Sequence, residues 1–225
     1  MPEAALFFAA GFGTRMRPLT DTCPKPLIRV AGQTLLDHAL ALGEAIPLKR
    51  RVVNTHYRHE QIEAHLAGRD ILLSHETPDI LETGGGLRQA LPLLGEGAVF
   101  TCNTDAIWSD AAAMAQLRAA WEPAQMDALL LCVPAARAIG HGGDGDFSLS
   151  PDGQLTRGGS LIYTGVQIID PKGLSAISET SFSLNLLWTE MAAKGRLHGI
   201  VYGGAWCDVG QPESIQLAED MLRHV

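Results

Sequence analysis

Residues Ala4 to Thr20 read AALFFAAGFGTRMRPLT, and Pro24-Lys25-Pro26-Leu27 follows closely. Ala4 to Ala9 is an apolar run of strand length that stops at Gly11-Phe12-Gly13. A short buried strand running into a glycine-rich loop is the reading that decides the fold. The same stretch has the look of a secretory leader, but Glu3 precedes it, no basic segment stands before it and a turn ends it. It is therefore expected to be a strand and not an export signal.

Outward from this strand, apolar runs of strand length alternate with segments of helical period, the pattern of an α/β fold with a mostly parallel sheet. Thr34 to Ala45 is expected to be a helix opened by a Thr34/Asp37 capping box. Arg51 to Asn54 reads as a strand, His59 to Ala67 as a helix stopped by Gly68, and Ile71 to His75 as a strand. Gly86 to Leu94 is helical with an interruption at Pro92, and Ala98 to Cys102 is the fourth strand. Ser109 is expected to cap a helix reaching Trp121, and Ala128 to Pro134 is a fifth strand.

The rhythm then changes. Gly140 to Asp146, GHGGDGD, reads as a mobile loop, and Pro151-Asp152-Gly153 joins Phe147–Ser150 to Gln154–Thr156 in a small hairpin insertion. Leu161 to Ile169 is a strand, Leu184 to Lys194 a helix, Leu197 to Tyr202 a strand and Glu213 to His224 a closing helix. No internal repeat or linker is evident, so residues 1–225 are expected to form one domain.

Composition narrows the function. The 225 residues are 46% hydrophobic and 19% charged, with a formal charge of −8 and a mean hydropathy of +0.08. This profile excludes disorder and collagen-like repetition. The acidity, with no polybasic run to offset it, argues against nucleic acid and anionic membranes as partners. No run of about 18 apolar residues suggests a membrane span. Cys23, Cys102, Cys132 and Cys207 are dispersed without a CxxC pair, which fits reduced thiols and a cytoplasmic setting.

Three segments fall at the carboxyl ends of strands, where an open parallel sheet has its ligand crevice. The first is Gly11 to Thr20 with Pro24 to Leu27. Its glycines let backbone amides approach a phosphate chain, and Arg15, Arg17 and Lys25 supply charge, although Gly-x-Gly alone also fits a plain turn. A dinucleotide fingerprint would need glycine at Met16, and a P-loop would need Gly-Lys-Ser/Thr at Thr14-Arg15-Met16.

The second is Glu82-Thr83-Gly84-Gly85-Gly86. Its glycines either let a helix start lie against a flat ligand with free amides or form a flexible turn. The third is a pair of distant carboxylates, Asp105 and Asp208. Each reads as a helix cap or turn former, or the two together as ligands of Mg²⁺, which takes one or two carboxylates plus water and substrate phosphates. His56 and His59 form an HxxH with no evident third metal ligand, and Trp108, Trp121 and Trp188 read most simply as packing residues.

These residues together resemble the signature of the sugar-1-phosphate nucleotidyltransferases. The likeness runs through Ala9 to Thr20, Pro24 to Leu27, Val30-x-Gly32, Glu82 to Gly86, Asn103-Thr104-Asp105, Thr164-Gly165 and Trp206-x-Asp208-Val209-Gly210, essentially the whole chain. Glu82 to Gly86, Asp146-Phe147 after a glycine loop, and the short length resemble a uridylyltransferase branch of that family.

The resemblance implies a Rossmann-like three-layer sandwich of the nucleotide-diphospho-sugar transferase type. It implies that the loop of Ala10, Gly11, Gly13 and Thr14, with Arg15, holds the nucleotide phosphates, and that Lys25 sits between the two phosphate-bearing substrates. It further implies that Gly84 and Gly85, with Glu76 nearby, face the base, that Asn103, Thr164 and Gly165 touch the sugar, and that Asp105 and Asp208 hold Mg²⁺. Catalysis is assigned to Arg15, Lys25 and Asp105. Thr104, where relatives often carry Gly, and Asp144, where Arg is expected, are departures that bear on the sugar accepted.

The expected substrates are small molecules, an NTP (UTP by the resemblance) and a sugar 1-phosphate, with monomer and homodimer both open. Rival readings are a guanylyl- or thymidylyltransferase acting on mannose or glucose 1-phosphate, and a non-catalytic sugar-nucleotide sensor. A dinucleotide oxidoreductase is disfavoured at Met16, and an acyltransferase fusion lacks hexapeptide repeats.

Overall fold

The structure, a computed structural model, describes residues 1–224. In chain order it runs β1 (Ala4–Phe8), α1 (Leu35–Glu44), β2 (Arg50–Thr55), α2 (His59–Leu66), β3 (Leu72–His75), α3 (Glu82–Leu94), β4 (Val99–Asn103), β5 (Ala106–Trp108) and α4 (Ala113–Ala120). It continues with β6 (Ala128–Pro134), β7 (Phe147–Leu149), β8 (Leu155–Arg157), β9 (Leu161–Ile169), α5 (Asn185–Ala193), β10 (Leu197–Val201), β11 (Trp206–Asp208) and α6 (Glu213–Arg223). Two-residue strands and short 3-10 segments fill the connections.

The period of two along β1 divides the molecule into layers. Ala5 and Phe7 join a core with Leu36 and Leu40 of α1, Ile62 of α2 and Leu117 of α4. Ala4 and Leu6 point the other way, to Leu87 and Leu94 of α3 and to Leu187 and Trp188 of α5. A strand covered on both faces must be apolar throughout, which is why Ala4–Phe8 shows no alternation with polar residues. The result is a sheet between two helical layers, as the resemblance implies.

The main sheet has nine strands. β1 pairs in parallel with β2 on one side and β4 on the other, and β2 pairs in parallel with β3. β9 runs antiparallel to both β4 and β6, while β10 is parallel to β6. The chain thus winds outward through β2 and β3 and returns across β1 to β4. That reversal opens a crevice beyond the carboxyl ends of β1 and β4.

Three expectations are corrected. Ser109 caps no helix: α4 starts at Ala113, and the Ser109 hydroxyl accepts the Ala205 amide at 2.9 Å. The third helix starts at Glu82, not Gly86, so the triple glycine lies inside its first turn. Pro92 does not break it, because it falls in the last turn, where one missing amide leaves the preceding bonds intact. Sequence reading also missed β5 and β11, which pair with each other and with Ala138–Ile139 in a second, three-stranded sheet. Its apolar side, Ile107 and Cys207, packs with Met16 and Val209 in a third core beneath the glycine loop. Among the described residues no helix is long and apolar enough to cross a membrane.

The capping box at α1 is built as expected and carries more charge than a cap needs. The Asp37 amide donates to Thr34 Oγ1 at 3.0 Å, and the Thr34 hydroxyl returns a bond to Asp37 Oδ2 at 2.6 Å. Arg69 donates to Oδ1 at 2.6 Å, and His65 Nε2 lies 3.0 Å from Oδ2. Burial works to raise the Asp37 pKa, but Thr34, Arg69 and His65 outweigh it and bring it to about 2.

A depressed carboxyl stabilises the fold while ionised, so its contribution is present above pH ~4 and is lost as pH falls through about 2. Asp37→Asn is expected to cost about 2 kcal/mol at pH 7 and about half that at pH 3. Urea unfolding at the two pH values checks this. An equal cost at both would show that the charge is not the source.

Candidate active site

The crevice holds a cavity of about 220 Å³ lined by Ala9 to Gly11, Gly13, Lys25, Asn54, Glu76, Glu82, Thr83 and Asn103 to Asp105. It is built on the carboxyl ends of β1, β2, β3 and β4 and on the start of α3.

The glycine loop is held from below. Gly13 takes a left-handed φ of 62°, and a Cβ there would lie 2.8 Å from Lys25 Cβ and 2.9 Å from Thr20 Cγ2. Only glycine fits on both counts. The Gly13 carbonyl accepts from the Met16 amide and the Thr20 hydroxyl, both at 2.9 Å, and Met16 is fully buried. Gly11, by contrast, is exposed with open space around its Cα, so a ligand can approach its backbone.

From above, the loop is fixed by a residue that sequence reading missed. Asn54, at the end of β2, accepts the Ala9 amide at 2.7 Å and donates to Glu76 Oε1 at 2.6 Å. Glu76 Oε2 accepts the Leu81 amide at 2.7 Å. Burial raises the Glu76 pKa, and the Leu81 and Asn54 bonds work against it. This buried chain ties the glycine loop to the start of α3. Asn54 had a weak signal, a polar residue directly after the apolar pair Val52-Val53 at the carboxyl end of its strand.

The triple glycine is explained by close packing. A Cβ at Gly84 would lie 2.3 Å from the Phe182 ring, one at Gly85 2.5 Å from the Thr180 carbonyl, and one at Gly86 2.6 Å from Glu76 Oε1. The amides of Gly84 and Gly85 both bond the Phe182 carbonyl, at 2.8 and 3.2 Å. The expectation of free amides at this helix start is therefore corrected. Glu82, with a left-handed φ of 57°, and Thr83 are the residues of this motif that line the cavity.

The two distant carboxylates are brought together by the small sheet. Asp208 ends β11, opposite Ala106 of β5, and the Val209 amide bonds the Asp105 carbonyl at 2.8 Å. Lys25 Nζ lies 2.9 Å from Asp105 Oδ2, with 12% of the lysine side chain exposed. Burial raises the Asp208 pKa, the neighbouring Asp105 charge adds to the rise, and His141 and Lys25 oppose it. His141 Nδ1 is 3.3 Å from Asp208 Oδ2, a second partner absent from the sequence reading. Arg15 is exposed, and its guanidinium and the Asp208 carboxylate flank Gly210, where a Cβ would lie 3.3 Å from each. Thr14 is exposed on the same turn.

Asn103 stands at the end of β4 against Gly165, whose φ of 90° falls in a register shift of β9. A Cβ at Gly165 would meet Asn103 Cβ at 2.9 Å. The Thr164 hydroxyl is spent on the Leu131 carbonyl at 2.7 Å and buried, and Thr104 likewise bonds the Phe8 carbonyl at 2.7 Å. Asp144 is exposed in the 140–146 loop. The ends of that loop are anchored. Gly140 approaches the Asp208 carbonyl too closely for any Cβ, and Asp146 bonds the Tyr163 amide at 2.8 Å.

Residues 5–155 match the family model of the MobA-like NTP transferase domain. The chain is 41% identical to the N-acetylmuramate alpha-1-phosphate uridylyltransferase of Caulobacter vibrioides, over 98% of this chain and 97% of that protein. It is 36% identical to the protein of the same name from Neisseria meningitidis serogroup B, over 92% of each. Among solved structures, a putative glucose-1-phosphate thymidylyltransferase from Bacillus anthracis shares the fold with a TM-score of 0.80 at 18% identity, over 99% of this chain and 96% of that one. The glycine loop, the paired carboxylates and this likeness over nearly the full length agree: the chain belongs to the MobA-like NTP transferase family and is a sugar-1-phosphate nucleotidyltransferase.

Proposed function

We propose that the protein transfers a uridylyl group from UTP to N-acetylmuramate α-1-phosphate, giving UDP-N-acetylmuramate and pyrophosphate. The observation that carries the reading is the cluster of Arg15, Lys25, Asp105 and Asp208 around an open glycine loop, together with relatives of that activity matched over nearly their full length. The whole of 1–225 acts as one unit in this reading. N-acetylmuramate is a cell-wall sugar and UTP a cytoplasmic nucleotide, which supports a role in reusing wall fragments inside the cell.

An oxygen of the sugar phosphate attacks the α-phosphorus of UTP in line, and pyrophosphate leaves. The attacking oxygen is already ionised at neutral pH, so no general base is required. Catalysis is then positioning and charge neutralisation. Backbone of Ala10, Gly11 and Gly13, with Thr14, would cradle the triphosphate, and Arg15 would meet charge building on the leaving group. Lys25 would stand between the incoming phosphate and the α-phosphate. Glu82 and Thr83 would meet the base, with Gly84 and Gly85 letting the helix start pack close and Glu76 acting through Asn54. Asn103, backed by Gly165 and Thr164, would meet the sugar.

The residues present fit Mg²⁺. Two hard oxygen donors, Asp105 and Asp208, are held so near one another that the charge on the first raises the pKa of the second. A divalent cation relieves that repulsion. Among the described residues no third His, Cys, Asp or Glu completes a ligand set, which suits an ion that keeps water and phosphate oxygens in its shell. When bound, it would neutralise phosphate charge.

The test is pyrophosphate release from each common NTP paired with N-acetylmuramate, N-acetylglucosamine, glucose and mannose 1-phosphates. Release is expected to be fastest with UTP and N-acetylmuramate 1-phosphate. Release only with GTP or dTTP would overturn the uridylyl assignment, and no release with any pair would favour a sensor.

A further inference from the structure

A second cavity, of about 290 Å³, opens beside the first and shares Phe8, Thr83 and Asn103 with it. Its far wall is formed by Asp146, Arg157, Asn185 and Trp188. In the reading above, this cavity, which Asn103 lines, takes the body of the sugar, and we infer that Arg157 selects sugar 1-phosphates bearing a carboxylate. The inference rests on the N-acetylmuramate reading above and assigns that specificity to one side chain.

The guanidinium of Arg157 is placed by its surroundings. Its Cζ lies 4.7 Å from the Phe147 ring centroid and 5.6 Å from that of Trp188, and Nη2 donates to Asn185 Oδ1 at 2.5 Å. The Trp188 ring is itself fixed, because its indole N–H donates to Gln167 Oε1 at 2.9 Å and Gln167 in turn donates to Thr101 at 3.1 Å. Gln167 is fully buried, so this chain anchors the cavity wall to the central sheet. Trp188 is thus more than the packing residue that the sequence suggested.

Arg157 lines the cavity and makes no direct ion pair among the described residues, although the Asp146 carboxylate is near enough to act on its charge. Asp146, the cavity's one carboxylate, is engaged by the Tyr163 amide. It remains able to accept from a sugar hydroxyl or amide. A neutral hexose needs no cation on that wall. N-acetylmuramate differs from N-acetylglucosamine by a lactyl ether whose carboxylate is ionised at neutral pH, and a planar guanidinium held over aromatic rings suits a carboxylate.

The experiment compares Arg157→Met, which keeps the stem over the rings, and Arg157→Lys with the wild type. UTP is the donor, and N-acetylmuramate 1-phosphate and N-acetylglucosamine 1-phosphate are the acceptors. Loss of one charge-assisted contact is expected to lower kcat/KM for N-acetylmuramate 1-phosphate about 10- to 100-fold, mainly through KM. The KM for UTP and the rate with the uncharged sugar are expected to stay within about twofold, and lysine to recover part of the loss.

Calorimetric titration of UDP-N-acetylmuramate against UDP-N-acetylglucosamine reads the same preference without turnover, and Arg157→Met is expected to abolish it. Equal losses on both sugars, or no loss on the charged one, would overturn the assignment of Arg157 alone. A wild type that prefers the uncharged sugar in both assays would overturn the N-acetylmuramate reading as well.

Discussion

Asp105→Asn is expected to lower kcat about 10²- to 10³-fold, the scale of removing one preorganised electrostatic group from a transition state. Asparagine keeps the shape of the side chain, and its carbonyl can still accept from Lys25, now 2.9 Å away. What disappears is the negative charge that acts on Asp208 and that, in the proposed function, would make the pair a seat for a divalent cation. Two signs should accompany the loss. The Mg²⁺ concentration giving half-maximal rate should rise, and the fold should be retained, because removing one of two like charges relieves repulsion. Melting curves and rates over a Mg²⁺ series measure both. Near-normal turnover at saturating Mg²⁺ would sink the metal role.

The residues that meet there come from distant parts of the chain, and this explains which of them could be read in advance. β1 and β6 are legible because a doubly covered strand is a plain apolar run, β9 because apolar residues flank its few polar ones, and the bounds of β6 and β9 are those expected. The glycine loop is legible because positive φ and close approach leave few alternatives to glycine at Gly13. β5 and β11 were missed because each is three residues long and pairs across about a hundred residues of sequence, so neither shows a period.

Asn54 and His141 belong to the same difficulty. Each acts through partners far along the chain, Ala9 and Glu76 for Asn54 and Asp208 for His141, and a single polar residue carries no spacing signal. The triple glycine was legible as important but not for its reason. Three separate neighbours, the Phe182 ring, the Thr180 carbonyl and the Glu76 carboxylate, each exclude a Cβ there. Close approach of this kind is a tertiary fact. It also shows why the motif constrains the site: a side chain at Gly86 would push on the carboxylate that holds Asn54 and, through it, the Ala9 amide.

Lys25→Met is expected to cost about 10²-fold or more in kcat/KM toward both UTP and the sugar 1-phosphate. The reaction brings two anionic phosphates together, and Lys25 is held at the mouth of the glycine loop by Pro24 and Pro26 and by contact across Gly13. Methionine keeps the length and apolar stem, so packing against Gly13 survives and the loss reports the charge. The variant also leaves Asp105 without its ion-pair partner, so Mg²⁺ is expected to bind more tightly even as turnover falls. That opposite movement separates Lys25 from Asp105, whose replacement weakens both. Arginine is not expected to rescue the rate, because a planar fork on a longer stem cannot take the place of a compact ammonium held 2.9 Å from Asp105. Steady-state kinetics with each substrate varied in turn, beside a Mg²⁺ titration, provide the test. A loss below about fivefold with unchanged Mg²⁺ dependence would remove Lys25 from the reaction and leave Arg15 to carry the phosphate charge.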